Sequence, residues 1–232
     1  MKLYKWLLAF SGTCLLAYAS LSAFNHHRAA TVANAATAEP GERNIVLSPS
    51  ASRYRLDPSA SKFMAHASRS GLLWFKGHGH HIAVRDFAGE AVLDPDALGN
   101  SSLTIAAKSA SMEETSDVFT DQQKQIINKE LREIVLLPDQ YPDITFRSNA
   151  VQGRSSGPGQ YDLKITGNLT LLGVTKPITI PTKVTVSGNQ MRAQGEFSIS
   201  RDDFKVKATS AFHNMIRIAD KIKFEFDIVG RQ

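Results

Sequence analysis

Residues 161–171 read Tyr161-Asp-Leu-Lys-Ile-Thr-Gly-Asn-Leu-Thr-Leu171, and this stretch decides the fold. Tyr161, Leu163, Ile165, Gly167, Leu169 and Leu171 alternate with Asp162, Lys164, Thr166, Asn168 and Thr170. Successive side chains of a strand point to opposite faces, so a period of two describes a strand with one dry and one wet face. A parallel sheet, buried on both faces, reads instead as an unbroken apolar run. The stretch therefore predicts antiparallel sheet.

The same pattern extends in both directions. Upstream, Leu103 and Ile105 alternate with Ser102, Thr104 and Ala106, and Ile144, Phe146 and Ser148 with Thr145 and Arg147. Downstream, Met191, Ala193, Gly195, Phe197 and Ile199 oppose Arg192, Gln194, Glu196 and Ser198, and Ile222, Phe224, Phe226 and Ile228 oppose Lys223, Glu225 and Asp227. Turn-forming residues separate these runs at Asp94-Pro95-Asp96, Leu98-Gly99-Asn100, Arg154 to Gly159, and Ser187-Gly188-Asn189. Consecutive hairpins imply an up-and-down order. About eight amphipathic strands lose their open edges most simply by closing on themselves. The expected fold is mainly β, an antiparallel up-and-down barrel of about eight strands; an open sandwich is the alternative, because periodicity does not report closure.

One segment departs from the period of two. Between Ser116 and Leu137 the apolar residues Ile126, Ile127, Leu131, Ile134 and Val135 fall at helical spacing and predict one amphipathic helix. Ser116 or Thr120 can cap its start, and Pro138 lies just past its end. Such a helix packs on the outer wall of a barrel or over its mouth, and spacing does not choose between them.

The N-terminus reads as a targeting segment. Lys2 and Lys5 precede an apolar run from Trp6 to Ala19, with small-x-small sites at Ala17-Tyr18-Ala19 and Ala33-Asn34-Ala35. This pattern predicts a signal peptide within residues 1–35 and an exported, periplasmic protein. An uncleaved membrane tether is the alternative, although the run is short of the ~20 residues a span needs. Residues 36–52 lack periodicity and predict a flexible linker, leaving 53–232 for the barrel domain. Of 232 residues, 27 are Lys or Arg and 22 Asp or Glu, a net charge of +5. Residues 1–35 hold Lys2, Lys5 and Arg28 and no acid, so the remainder carries 24 basic and 22 acidic residues, or +2. No basic stripe is left to bind nucleic acid. Cys14, the single cysteine, excludes a disulfide framework and a cysteine-built zinc cluster.

Several blocks carry a resemblance. Tyr54-Arg-Leu-Asp-Pro58 with Ser61-Lys-Phe63, then Val135-Leu-Leu-Pro-Asp-Gln-Tyr-Pro142 with Ile144-Thr-Phe146, then Ile165-Thr-Gly-Asn-Leu-Thr-Leu-Leu-Gly-Val-Thr-Lys-Pro-Ile178, Phe197-Ser-Ile-Ser-Arg-Asp-Asp-Phe204 and Asp220-Lys-Ile-Lys-Phe224 occur in the order seen in the YceI-like family. The chain resembles that family over about residues 53–230. The resemblance implies a lipocalin-like barrel, exported, whose interior holds an isoprenoid (a quinone or polyprenyl chain) or a comparable amphiphilic lipid. Two features stand apart. Lys205 occupies the place of the family's common glycine, and Gly77-His78-Gly79-His80-His81 is similar to a Gly-His-Asp-His variant of one subgroup.

Under that reading the apolar-face residues Phe63, Leu103, Ile105, Phe146, Leu163, Ile165, Leu169, Phe197, Ile199, Phe224 and Phe226 are expected to line a ligand-binding interior. Ordinary core is the competing role for each. Neither a cofactor nor a catalytic group is needed for such binding. The second reading is a His-dependent metal-binding or metalloenzyme barrel: in an extended segment His78 and His80 share a face, with His81 beside them and His213 or Asp86 as completing ligands. A third is a ligand-free module that contacts a membrane redox protein. The chain has no Gly-x-Ser-x-Gly elbow, His-Glu-x-x-His pair or phosphate-cradling glycine loop. Glu113-Glu114 is expected in a solvated turn before the helix. Arg201, Asp202 and Asp203 are expected as surface charges at a hairpin, where they could orient a polar head group at the rim.

Overall fold

A computed structural model describes residues 47–71, 78–207, 210–211 and 216–232. The expected signal peptide, most of the linker, Gly77 and His213 lie outside the described residues. The strands are β1 (Ser52–Ser70), β2 (His80–Val84), β3 (Phe87–Leu93), β4 (Ser102–Lys108), β5 (Met112–Glu114), β6 (Asp143–Gly157), β7 (Gln160–Leu171), β8 (Val174–Ser187), β9 (Gln190–Ser200), β10 (Ser210–Ala211) and β11 (Ile216–Arg231). Among the described residues one α-helix, α1, spans Asp121–Glu130 and runs into a π-helical turn at Leu131–Leu136.

Every strand pairing is antiparallel, and β11 returns to pair with β1, so the sheet closes. Eight staves form the wall. β2 and β3 both pair with β1, β3 along its first half and β2 along its second, and so make one stave bent at Arg85-Asp86. β4 and β5 make another, interrupted by a 3₁₀ turn at Ser109–Ser111. Closure sets Phe63 opposite Phe226 and Ala65 opposite Phe224 across the β1–β11 seam. A closed wall removes the unpaired edges that an open sandwich would keep.

The alternation reads out as expected. Leu163, Ile165, Gly167, Leu169 and Leu171 are buried, while Lys164 and Asn168 between them are exposed. Two of the inward positions require glycine. A Cβ at Gly167 would lie 2.6 Å from Phe146 Cζ and 2.3 Å from the Arg147 carbonyl oxygen. One at Gly195 would lie 2.7 Å from Phe226 Cζ and 2.3 Å from the Pro181 carbonyl oxygen. Each glycine makes room for a phenyl ring that turns across the interior. The hairpin between β6 and β7 is tighter than the run from Arg154 to Gly159 implies. Residues 154–157 continue the strand, and only Pro158-Gly159 turn, with a bulge between Ser155 and Gly157.

Thr120 caps α1 through a reciprocal pair of bonds: its hydroxyl accepts from the Gln123 N–H, and the Gln123 side chain accepts from the Thr120 N–H. The apolar stripe is not the one that uniform helical spacing predicts. Ile127, Leu131, Val135 and Leu136 face the barrel interior, whereas Ile126 and Ile134 are 56% and 41% exposed. The π turn accounts for Ile134, whereas Ile126 lies before it, within α1. The turn's wider i→i+5 loops advance fewer degrees per residue, which rotates Ile134 outward and brings Val135 to the centre of the buried face. Leu137 then stops the helix in a left-handed conformation before Pro138.

Candidate ligand-binding site

The barrel is hollow. A cavity of about 270 Å³ runs along the axis with an almost wholly apolar wall. At one end Tyr54, 2% exposed, lies buried beside Leu56 and Met191. The other end is the mouth, where Ala67 of β1, His80 of β2, Ile127, Glu130 and Leu131 of the helix, and Arg201, Val206 and Lys207 after β9 line the opening. The helix thus lies over the mouth and not on the outer wall, with its buried stripe forming part of the cavity lining.

All eleven residues expected at the interior have side chains on this wall. Phe146, Leu163, Ile165, Leu169, Ile199 and Phe226 are buried, while Phe63, Leu103, Ile105, Phe197 and Phe224 keep partial exposure, as side chains facing a void do. Phe197 stacks on Phe224 with ring centroids 4.9 Å apart, and Phe63 meets Phe87 and Phe226 edge-on. These aromatic contacts stiffen the wall around space that core packing would ordinarily fill.

The histidines divide between two faces. His78 and His80 both contact Phe119, His80 stacked at 5.3 Å and His78 edge-on at 5.8 Å. His81 points to the outer face, where its ring lies 5.0 Å from that of His66. His66 sits below the usual histidine range because of burial and the neighbouring His81, against the opposing pull of Glu225. Asp86 is exposed on the bend between β2 and β3 and accepts no bond from the three histidines. Among the described residues, no cluster of three or more His, Cys, Asp or Glu side chains is placed to hold a metal ion.

Glu113-Glu114 overturns its expected place in a solvated turn. The pair lies in β5, where alternation sends Glu113 out to Arg85 at 2.7 Å and Glu114 inward, with a fully buried side chain. Glu114 Oε2 bonds His80 Nδ1 at 2.8 Å, and Oε1 accepts the Ser116 and His81 N–H groups at 2.8 and 3.1 Å. The Glu114 N–H in turn donates to Asn128 Oδ1 of α1 at 2.7 Å, tying the helix to the wall. Burial pushes the carboxyl up, but the bonds from His80, Ser116 and His81 outweigh it and hold the group below the usual glutamate range. An unpartnered acid at this position would be costly, and the sequence signal was the alternation itself, since Met112 and Glu114 share a face.

Arg201 corrects another expectation. Its side chain is only 16% exposed and lines the mouth, donating to the Val206 carbonyl at 2.6 Å and pairing with Asp202 at 2.7 Å. Its buried Nε has no hydrogen-bond partner among the described residues. Asp203 takes no part in that pair; its N–H donates to Ser200 Oγ. Lys205, in place of glycine, adopts a left-handed conformation with φ of 56°, so the bend is kept with a residue that disfavours it.

A closed antiparallel barrel of eight staves, hollow along its axis and roofed by one helix, defines a lipocalin-like fold. The YceI-like domain matches residues 54–230, and the chain belongs to the YceI-like family. Among solved structures, Burkholderia cenocepacia BcnA superposes with a TM-score of 0.59 at 22% identity, covering 75% of this chain and 98% of its own. A polyisoprenoid binding domain from Saccharophagus degradans, implicated in plant cell wall breakdown, gives 0.53 at 14% identity, covering 77% and 97%. The Campylobacter jejuni YCEI protein gives 0.50 at 19% identity, covering 65% and 84%. Comparison with curated protein sequences gives no significant match.

Proposed function

We propose that this chain is an exported lipid-binding protein that holds the tail of an isoprenoid, such as a quinone or polyprenyl chain, or of a similar amphiphile, for carriage, storage or protection. The observation that carries this reading is the apolar cavity down the barrel axis, open at one end under the helix. Its volume of about 270 Å³ lies just below the ~300–1,000 Å³ usual for ligand pockets. Burying an alkyl tail gains about 0.8 kcal/mol per CH₂, so a dozen methylene equivalents supply roughly 10 kcal/mol before ordering costs. That is enough for micromolar binding. Family membership and the fold shared with a polyisoprenoid binding domain support the ligand class. The cationic and apolar N-terminal segment supports export through a signal peptide in residues 1–35, with residues 36–52 joining it to the barrel. Binding alone accounts for the arrangement, with no catalytic step assigned to it.

The test is solvent extraction and mass spectrometry of the protein purified from the exported fraction. A prenyl or comparable amphiphile at near-equimolar amount is expected. Recovery of no co-purifying lipid, with no uptake of added isoprenoid by the extracted protein, overturns the reading.

A further inference from the structure

We propose that His80, held by Glu114 at the cavity mouth, is a head-group site that selects amphiphiles ending in a neutral hydroxyl, whose hydrogen His80 Nε2 accepts. The proposal rests on the reading that an amphiphile tail occupies the barrel, and it adds the chemistry of the other end.

His80 is on the wall of the cavity, next to the helix that covers it. Its Nδ1 is taken by Glu114 at 2.8 Å, and the opposing carboxylate oxygen is taken by two backbone N–H groups. A carboxylate so engaged can only accept, which places the imidazole hydrogen on Nδ1 and leaves Nε2 with a free lone pair in the neutral ring. No described residue bonds Nε2. Stacking on Phe119 fixes the ring plane, and the Glu114–Asn128 bond fixes the acid against α1. The mouth therefore carries an oriented acceptor on a largely apolar wall, where an unmet hydrogen-bonding group weighs most.

The charges nearby choose the head. Buried Glu114 and the mouth residue Glu130 are both acids, so a phosphate or carboxylate beside His80 would face two like charges. An ether or ketone has no hydrogen to give. A hydroxyl meets both conditions. Two cations also line the mouth, Arg201 and Lys207, both on the segment that follows β9. Arg201 follows β9, which is separated from β2 by the β1 and β11 staves. Glu114 is bonded to His80 itself, whereas the segment after β9 stands three staves away along the wall, so the acid is the nearer charge for a head at His80. Arg201 is also already engaged by Asp202 and Val206.

The experiment uses the delipidated protein and three probes with one tail: 1-dodecanol, its methyl ether, and dodecyl phosphate. Binding is followed by calorimetry at about pH 8, above the ordinary imidazole range. The expected result is 1-dodecanol binding about tenfold tighter than the ether, as one buried hydrogen bond provides, and tighter than the phosphate. His80→Phe keeps a ring against Phe119 and should bring alcohol and ether within about twofold of each other. In the unaltered protein, the ¹⁵N resonance of His80 Nε2 should move on adding 1-dodecanol and stay still on adding the ether. That measurement holds even if His80→Phe fails to fold. Tightest binding of the phosphate, equal binding of all three probes, or a tenfold preference that survives His80→Phe overturns the head-group site while leaving the occupied barrel intact. Failure of all three to bind overturns the occupied barrel and the head-group site together.

Discussion

Filling the barrel should make the protein more stable and less able to bind. Unfilled apolar space destabilises a fold by about 24 cal/mol per Å³. A cavity of about 270 Å³ therefore forgoes on the order of 6 kcal/mol, comparable with the whole ~5–15 kcal/mol stability of a typical domain. Ala193 projects into this space from β9, between Met191 and Gly195 on the inward face. A phenyl ring fits a cavity on the order of 150 Å³, so Ala193→Phe should take up about half the void. The recovered packing is about 3.5 kcal/mol, against roughly 1–3 kcal/mol of strain from insertion, leaving a net gain of about 0.5–2.5 kcal/mol. The same ring displaces about half of a dodecyl tail, or roughly 5 kcal/mol of burial, so affinity should fall by several thousandfold. Urea denaturation of the delipidated protein measures the first effect, because bound lipid would add its own stabilisation. Titration with 1-dodecanol measures the second. A variant destabilised by 2 kcal/mol or more that still loads lipid like the unaltered protein would refute the reasoning, because it would show an interior already packed at Ala193 and a tail bound elsewhere.

Three further outcomes follow from the same geometry. Gly195→Ala should destabilise by about 1–3 kcal/mol in urea, since its Cβ would press on Phe226 and the Pro181 carbonyl, whereas Gly99→Ala, with nothing within 4 Å, should change stability by under about 0.5 kcal/mol. Glu114→Gln should remove part of the acid sensitivity of the fold. The Glu114 carboxyl is depressed below its ordinary value of 4.5, so its contribution is full above that pH and is lost as pH falls through the folded value. Urea midpoints taken from pH 7 to 3 should accordingly fall less steeply for Glu114→Gln, and parallel curves would contradict the assignment. Finally, Asp94 is buried and accepts from the Ser48 N–H at 3.0 Å, the Ser48 hydroxyl, and the Ala97 N–H at 3.0 Å. Asp94→Ala should release the segment before β1, read as faster limited proteolysis near residues 47–51 with the barrel left uncut.

The correspondence between sequence and structure is uneven for identifiable reasons. The wall was legible because a strand's period of two is local, and burial on one face suffices to impose it from Leu103 through Ile228. The eleven interior positions followed from the same rule. The helix was legible in place but not in facing, because the π turn at Leu131–Leu136 depends on how the segment meets the barrel mouth and leaves no mark in apolar spacing. Glu114 was misplaced for a related reason. Adjacent acids ordinarily favour water, and only the alternation of β5 and the presence of His80 34 residues earlier make one of them a buried anchor. Arg201 was expected at a hairpin with any role at the rim; that its side chain is largely buried there, against the Val206 carbonyl, depends on contacts the sequence does not record.

By itself the amino-acid sequence determined the antiparallel strands, their up-and-down order, the inward side chains and the segment that becomes helical. These follow from neighbours a few residues apart. Tertiary structure decided that the sheet closes, that the closed barrel stays hollow, that the helix roofs its mouth, and that His80 meets Glu114 there. Each of these depends on distances between parts of the chain far apart in sequence. Whether inward side chains meet across the axis or stop short of one another depends on barrel diameter, which alternation along a single strand does not encode.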